Sequence, residues 1–100
     1  MDKLIYLDHA ATTATRPEVV QEMLPYFTEY YGNPSSIYKF SSNSKEAITK
    51  ARKIIGDSLN TDASNIYFTA GGSESDNWAL KATAEAYAGK GKHIITSKIE

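Results

Sequence analysis

Two adjacent glycines and a serine, set between a β-branched aromatic run and an alanine-rich stretch, constrain this chain most. They sit in Phe68-Thr69-Ala70-Gly71-Gly72-Ser73-Glu74-Ser75-Asp76-Asn77. Ile66-Tyr67-Phe68-Thr69 reads as a strand and Trp78-Ala79-Leu80-Lys81-Ala82 as a helix, so the glycines mark a strand-to-helix turn. Glycine lets backbone N–H groups come close to a ligand. The first N–H groups of a helix lack intrahelical acceptors, and the helix dipole favours an anion there. Gly72 and Ser73 therefore form a candidate phosphate cradle, with the Ser73 hydroxyl as a further donor. The same residues also read as a plain helix start, in which Ser73 caps the helix and Asp76 completes a capping-box pair. Both roles are compatible with the sequence.

The following stretch extends the pattern. A helix is expected from Ser73 to Ala88, ended by Gly89-Lys90-Gly91-Lys92, and its alanines (Ala79, Ala82, Ala84, Ala86, Ala88) suit close packing on a sheet. His93-Ile94-Ile95-Thr96-Ser97 reads as a second strand. Strand, helix and strand make a βαβ-like unit, which places the chain in the α/β class with a parallel sheet. Ligands of such folds bind at the carboxyl ends of the strands, where the Gly72-Ser73 turn lies.

Upstream, Leu4-Ile5-Tyr6-Leu7 is expected as a strand or extended arm. Asp8-His9-Ala10-Ala11-Thr12-Thr13-Ala14-Thr15 is a loop of small residues, in which His9 reads as solvated or locally bonded. A helix begins near Thr15-Arg16-Pro17-Glu18, with Thr15 and Glu18 as a capping box. Val20, Met23, Leu24, Phe27 and Tyr31 recur at helical spacing and would form one buried face, Pro25 breaks or kinks the helix near Leu24, and Gly32 is placed as its C-cap. After the Asn33-Pro34-Ser35-Ser36 turn, a second helix is expected from Asn43 to Leu59. Asn43 and Glu46 are its cap pair, and Ala47, Ile48, Ala51, Ile54, Ile55 and Leu59 its apolar face. Lys45, Lys50, Arg52, Lys53 and Asp57 fall mostly on the solvated side.

Composition removes several function classes. A formal net charge of −1 gives no broad attraction to nucleic acid. No apolar run approaches a membrane span, and Met1-Asp2-Lys3-Leu4-Ile5 lacks the basic-then-apolar layout of a secretory signal. Cysteine is absent, so neither a disulfide framework nor a thiolate metal site is available, and no metal site is expected. A cytoplasmic location fits these features. The abrupt end at Lys98-Ile99-Glu100, just past a strand, suggests a fragment of a longer protein.

Three ordered blocks carry a resemblance to a known family. Tyr6-Leu7-Asp8-His9-Ala10-Ala11-Thr12-Thr13 resembles the opening of the cysteine desulfurases. Pro25-Tyr26-Phe27, followed by Tyr31-Gly32-Asn33-Pro34-Ser35-Ser36, is similar to their second block. Phe68 to Asn77 is similar to their cofactor-phosphate block, with Ser73 in place of the more usual threonine. His9 stands where many relatives carry asparagine, and Tyr38 where many carry histidine. The resemblance covers essentially the whole chain. It places the chain at the amino-terminal part of a fold-type I, class V enzyme dependent on pyridoxal phosphate. Residues 1–15 would be an amino-terminal arm or small-domain segment. Residues 16–100 would be the incomplete start of the large cofactor-binding domain, with two helices and then the βαβ-like unit.

The resemblance implies removal of sulfur from L-cysteine, giving L-alanine and an enzyme persulfide that feeds iron–sulfur cluster assembly or tRNA thiolation. It implies pyridoxal 5'-phosphate as cofactor, held at Gly72 and Ser73, and a substrate pocket near Ala11 and Asn33. A homodimeric parent and a sulfur-acceptor or scaffold protein are the implied partners, with no direct nucleic-acid or membrane contact. The family's Schiff-base lysine, pyridine-nitrogen partner, ring-stacking histidine and persulfide cysteine lie beyond this segment, so none of its residues is given a catalytic role. By the same resemblance, strands from later in the chain lie between those matching 66–69 and 93–97. These hundred residues alone are then expected to be poorly folded and inactive. Within the fold, selenocysteine lyase or another class V enzyme is the alternative. Outside it, the alternative is a non-catalytic phosphate-binding or interaction module, which would end naturally after Glu100 and fold stably by itself.

Overall fold

The computed structural model describes residues 4–99. Met1, Asp2 and Lys3 of the expected arm, and the terminal Glu100, lie outside the described residues. Among the described residues four α-helices run α1 Pro17–Met23, α2 Pro25–Thr28, α3 Ser42–Ser58 and α4 Gly72–Ala86. Short 3-10 turns occur at Lys39–Ser41 and Ala63–Asn65. The chain divides into two compact units, Met1–Asn65 and Ile66–Glu100, each with its own internal logic.

In the first unit the break at Leu24 is as expected, but the expected buried face does not form: Val20, Met23, Leu24, Phe27 and Tyr31 are all exposed, and Tyr31 lies past the end of α2. Leu24 ends α1 and precedes α2, and Pro25 cannot donate to the α1 ladder. The expected caps do not form either. Arg16, not Thr15, is the N-cap of α1, without a side-chain bond, and Glu18 pairs instead with Arg16 at 3.5 Å. Asn43 lies inside α3, whose N-cap is Ser41, because the Lys39–Ser41 turn runs straight into the helix. A continuing turn supplies the first carbonyls itself and removes the need for a side-chain cap.

Gly32 is not a C-cap either. Helix α2 has already ended, with Glu29 as its C-cap. A Cβ on Gly32 would stand 2.9 Å from Ser41 Cα, so glycine is there to let two backbones touch. Ser44 Oγ donates to Tyr30 O at 2.7 Å beside this contact, and the rings of Tyr31 and Phe40 meet edge-on at 5.0 Å. The start of α3 is thereby tied to the segment preceding the Asn33 turn.

The far end of α3 uses a Schellman motif. Thr61 N donates to Gly56 O at 2.9 Å and Asn60 N to Asp57 O at 3.2 Å, with Asn60 at φ 54°. Asparagine tolerates this left-handed region better than most residues. The returning loop crosses so closely that a Cβ on Gly56 would lie 2.8 Å from Thr61 O. Gly56→Ala should therefore destabilise the unit by about 1–3 kcal/mol through overpacking. That reverses the ordinary helix-interior gain of about 0.5–1 kcal/mol for alanine over glycine. Urea unfolding of the full-length protein, followed by its helical far-UV signal, checks the sign.

The buried residues of this unit are Gly32, Ser41, Ser44 and Gly56, all small. The middle of the expected apolar face of α3 (Ala47, Ile48, Ala51, Ile55) is half-buried, while Ile54 and Leu59 are exposed. Among the described residues no apolar side chain is fully buried. The unit is held by close backbone approach and capping rather than by an apolar core. The Lys53–Asp57 pair at 2.7 Å is exposed, and such pairs contribute little.

In the second unit α4 forms as expected but ends at Ala86. Lys90 N donates to Tyr87 O at 2.8 Å, and the Lys90 ammonium lies 4.8 Å from the Tyr87 ring centroid. Residues 66–69 and 93–97, expected as strands, carry no ladder bonds, and no strand forms among the described residues, residues 4–7 included. Strand identity depends on a neighbour that accepts and donates the ladder bonds, and β-branched composition alone does not supply one. Tyr67 still meets Trp78 of α4 edge-on at 5.2 Å, which anchors the 66–69 segment to the helix.

Candidate functional site

The start of α4 is the most organised polar feature of the second unit. Gly71 is the N-cap, with extended φ 172° and ψ 176°, and Gly72 and Ser73 form the first turn. Neither the Gly71 nor the Gly72 conformation demands glycine, and a Cβ at either position would meet nothing within 4 Å. The space over the turn is open.

The first intrahelical bond of α4 runs from Ser75 N to Gly71 O at 3.2 Å. The N–H groups of Gly72 and Ser73 find no acceptor among the described residues, and neither does the Ser73 hydroxyl. Ser73 contributes only its carbonyl, which accepts from Asn77 Nδ2 at 2.8 Å. The expected Ser73–Asp76 capping box does not form, because Ser73 lies within the helix rather than at its cap. Glu74 Oε2 accepts instead from N–H of Ala70, the residue before the N-cap, at 2.7 Å, and no side chain caps α4.

Thr69 and Ser75 complete this turn. Thr69 Oγ1 donates to Gly71 O at 3.1 Å and stands 2.6 Å from Ser75 Oγ. Thr69, Glu74 and Ser75 were not singled out from sequence. The available signal was Glu74 three residues after Gly71, the N-cap-to-N3 spacing of a capping box. The Thr69–Ser75 contact spans six residues and has no such spacing rule.

A set of two free amides and one free hydroxyl at a helix start is the donor chemistry that suits a phosphate. The Glu74 carboxylate, drawn back to Ala70, does not bond the Gly72 and Ser73 amides. The residues present thus fit a phosphorylated cofactor.

Ala11 and Asn33 belong to the first unit. Ala11 closes a turn, its N–H donating to Asp8 O at 3.1 Å. The same carbonyl accepts from Tyr6 Oη at 2.7 Å, and the Tyr6 ring meets His9 edge-on at 5.4 Å. Ala11 therefore offers a small side chain but no spare N–H. Asn33 Oδ1 accepts from Ser35 N at 2.9 Å and its carbonyl from Ser36 N at 3.0 Å, an Asx turn that leaves the amide NH₂ as its unused donor. No hydrogen bond joins the Ala11 and Asn33 turns among the described residues.

The chain belongs to the class-V aminotransferase family, whose model matches residues 5–100. Among curated proteins it is 56% identical, over its full 100 residues, to cysteine desulfurase IscS of Clostridium botulinum (strain Kyoto / Type A2), covering 25% of that protein. It is 58% identical over 99 residues to cysteine desulfurase IscS of Methanosarcina thermophila, covering 99% of this chain and 24% of the relative. The IscS of Neisseria meningitidis serogroup A is 47% identical over 97 residues. The chain thus spans about a quarter of the length of these relatives. No solved structure matches it. Among the described residues no helix is long and apolar enough to cross a membrane.

Proposed function

We propose that this chain is the opening segment of a pyridoxal-phosphate-dependent cysteine desulfurase, acting on L-cysteine and passing the sulfur to an acceptor or scaffold protein. The observation that carries this reading is the 56% identity to a cysteine desulfurase across all 100 residues. The free donors of Gly72 and Ser73 support it.

In this reading the Gly72 and Ser73 amides and the Ser73 hydroxyl bind the cofactor phosphate, and the positive end of α4 adds to its retention. When bound, the cofactor supplies an electron sink for carbon chemistry on the amino acid. Gly72 and Ser73 anchor and orient it. The Asn33 NH₂ is offered to the substrate carboxylate, while Ala11 leaves space beside the substrate. Residues 1–15 serve as an arm, and 16–100 open the large domain, whose sheet gains residues 66–69 and 93–97 as strands. The homodimeric parent, the cytoplasmic location and the use of the sulfur for iron–sulfur clusters or tRNA thiolation come with the family resemblance.

The test is the intact mass and visible spectrum of the native gene product. A product several times heavier than this 11.0 kDa chain, yellow, and changing colour when L-cysteine is added with release of L-alanine, is expected. A colourless native product without alanine release would overturn the reading.

A further inference from the structure

The carbonyl of Gly71 accepts two hydrogen bonds, from Thr69 Oγ1 at 3.1 Å and from Ser75 N at 3.2 Å. Thr69 has a single hydroxyl proton. With that proton on Gly71 O, the 2.6 Å contact between Thr69 and Ser75 runs with Ser75 as donor. A closed relay results, from the Ser75 hydroxyl to the Thr69 oxygen and from the Thr69 hydroxyl to the Gly71 carbonyl. The carbonyl and the next N–H belong to one planar trans peptide and point in opposite directions. Holding Gly71 O inside the turn therefore holds Gly72 N–H facing away from it, where it meets no acceptor among the described residues.

We propose that Thr69 and Ser75 are positioning residues for the cofactor phosphate, which they never touch. They act by locking the Gly71–Gly72 peptide so that the Gly72 amide is oriented before the phosphate arrives. This rests on the reading of Gly72 and Ser73 as the phosphate seat. The glycines make the relay necessary. Without the Thr69 hydroxyl the carbonyl of the extended Gly71 is held only by Ser75 N–H at 3.2 Å, and each rotation of the peptide away from the turn removes a donor from the seat. Ala70 N–H is separately occupied by Glu74 at 2.7 Å, so the peptide before Gly71 is held as well and the remaining freedom is at Gly71 itself.

The experiment uses the full-length protein stripped of cofactor, and compares its affinity for pyridoxal phosphate with that for pyridoxal, which lacks the phosphate. Thr69→Val removes the hydroxyl at nearly constant volume. It should weaken pyridoxal phosphate by about 5- to 10-fold, the worth of one or two hydrogen bonds, and leave pyridoxal within about 2-fold. Ser75→Ala should shift the same ratio by a smaller factor, since Thr69 keeps its bond to Gly71. Thr69→Ser, which keeps the hydroxyl, should restore the wild-type ratio. Equal weakening of both ligands by Thr69→Val would mean a general structural role and would overturn the proposal. So would an unchanged ratio in Thr69→Val while Ser73→Ala lowers it, although the seat would then stand. A wild-type protein that does not prefer the phosphorylated ligand would remove the seat and the proposal together.

Discussion

Replacing Ser73 by aspartate should strengthen helix α4 and abolish retention of pyridoxal phosphate in the full-length protein. The two effects have opposite sign because they arise from the same field. Ser73 stands in the first turn of α4, where the amides of Gly72 and Ser73 have no acceptor. A carboxylate there meets the positive end of the helix and stabilises it by about 0.3–1 kcal/mol. The same carboxylate occupies the seat of the phosphate and repels it. Two like charges 4 Å apart repel by about 4 kcal/mol at a surface-type dielectric. The turn is exposed, so screening reduces this, and a loss of about 100-fold in cofactor affinity is expected. Ser73→Ala, which removes one donor without adding charge, should cost only about 5- to 10-fold. Thermal unfolding of the cofactor-free protein and titration with pyridoxal phosphate measure the two effects separately. Unchanged affinity in Ser73→Asp would place the phosphate elsewhere.

The second large effect concerns the hundred residues expressed alone. They should show helical far-UV signal, no cooperative thermal transition and strong binding of a hydrophobic dye, and should self-associate at micromolar concentration. Among the described residues no apolar side chain is buried, and Ile37, Ile95 and Ile99 are 97, 86 and 93% exposed. Burying one such side chain contributes roughly 1.5–3 kcal/mol, whereas a folded domain is stable by only about 5–15 kcal/mol in total. With apolar side chains at most half-buried among the described residues, the main term that opposes conformational entropy is small. Residues 93–97 add backbone donors and acceptors that lie outside any ladder, of the kind that recruit other chains. Supplying the remainder of the full-length protein should restore a cooperative transition. A sharp melt of a monomeric hundred-residue chain would refute this.

Thr69, Gly71 and Ser75 show how the candidate site was partly legible. The glycine pair and the hydroxyl at Ser73 were visible because donor-rich helix starts have a short-range signature, readable from adjacent residues. The relay from Ser75 through Thr69 to Gly71 was not, since it depends on how the chain enters α4. The caps failed for a related reason. Thr15, Asn43 and Ser73 satisfy the spacing of a capping box, but which residue serves as N-cap depends on the turn that precedes it. At α3 that turn is the 3-10 segment Lys39–Ser41, and at α4 it is the extended Gly71. Gly32, read from sequence as a helix C-cap, is instead a point of backbone contact with Ser41, and Gly56 is another with Thr61.

The amino-acid order by itself determined where the chain is helical, because the i to i+4 bonds of α1, α3 and α4 and the proline break at Leu24 are local. It also determined family membership, through three separated blocks that only an ordered match explains. Tertiary structure decided the rest. It set the register of the helix ends and the need for glycine at positions 32 and 56. It also left 66–69 and 93–97 outside any ladder among the described residues, because a ladder is a property of two segments and neither sequence run contains its neighbour.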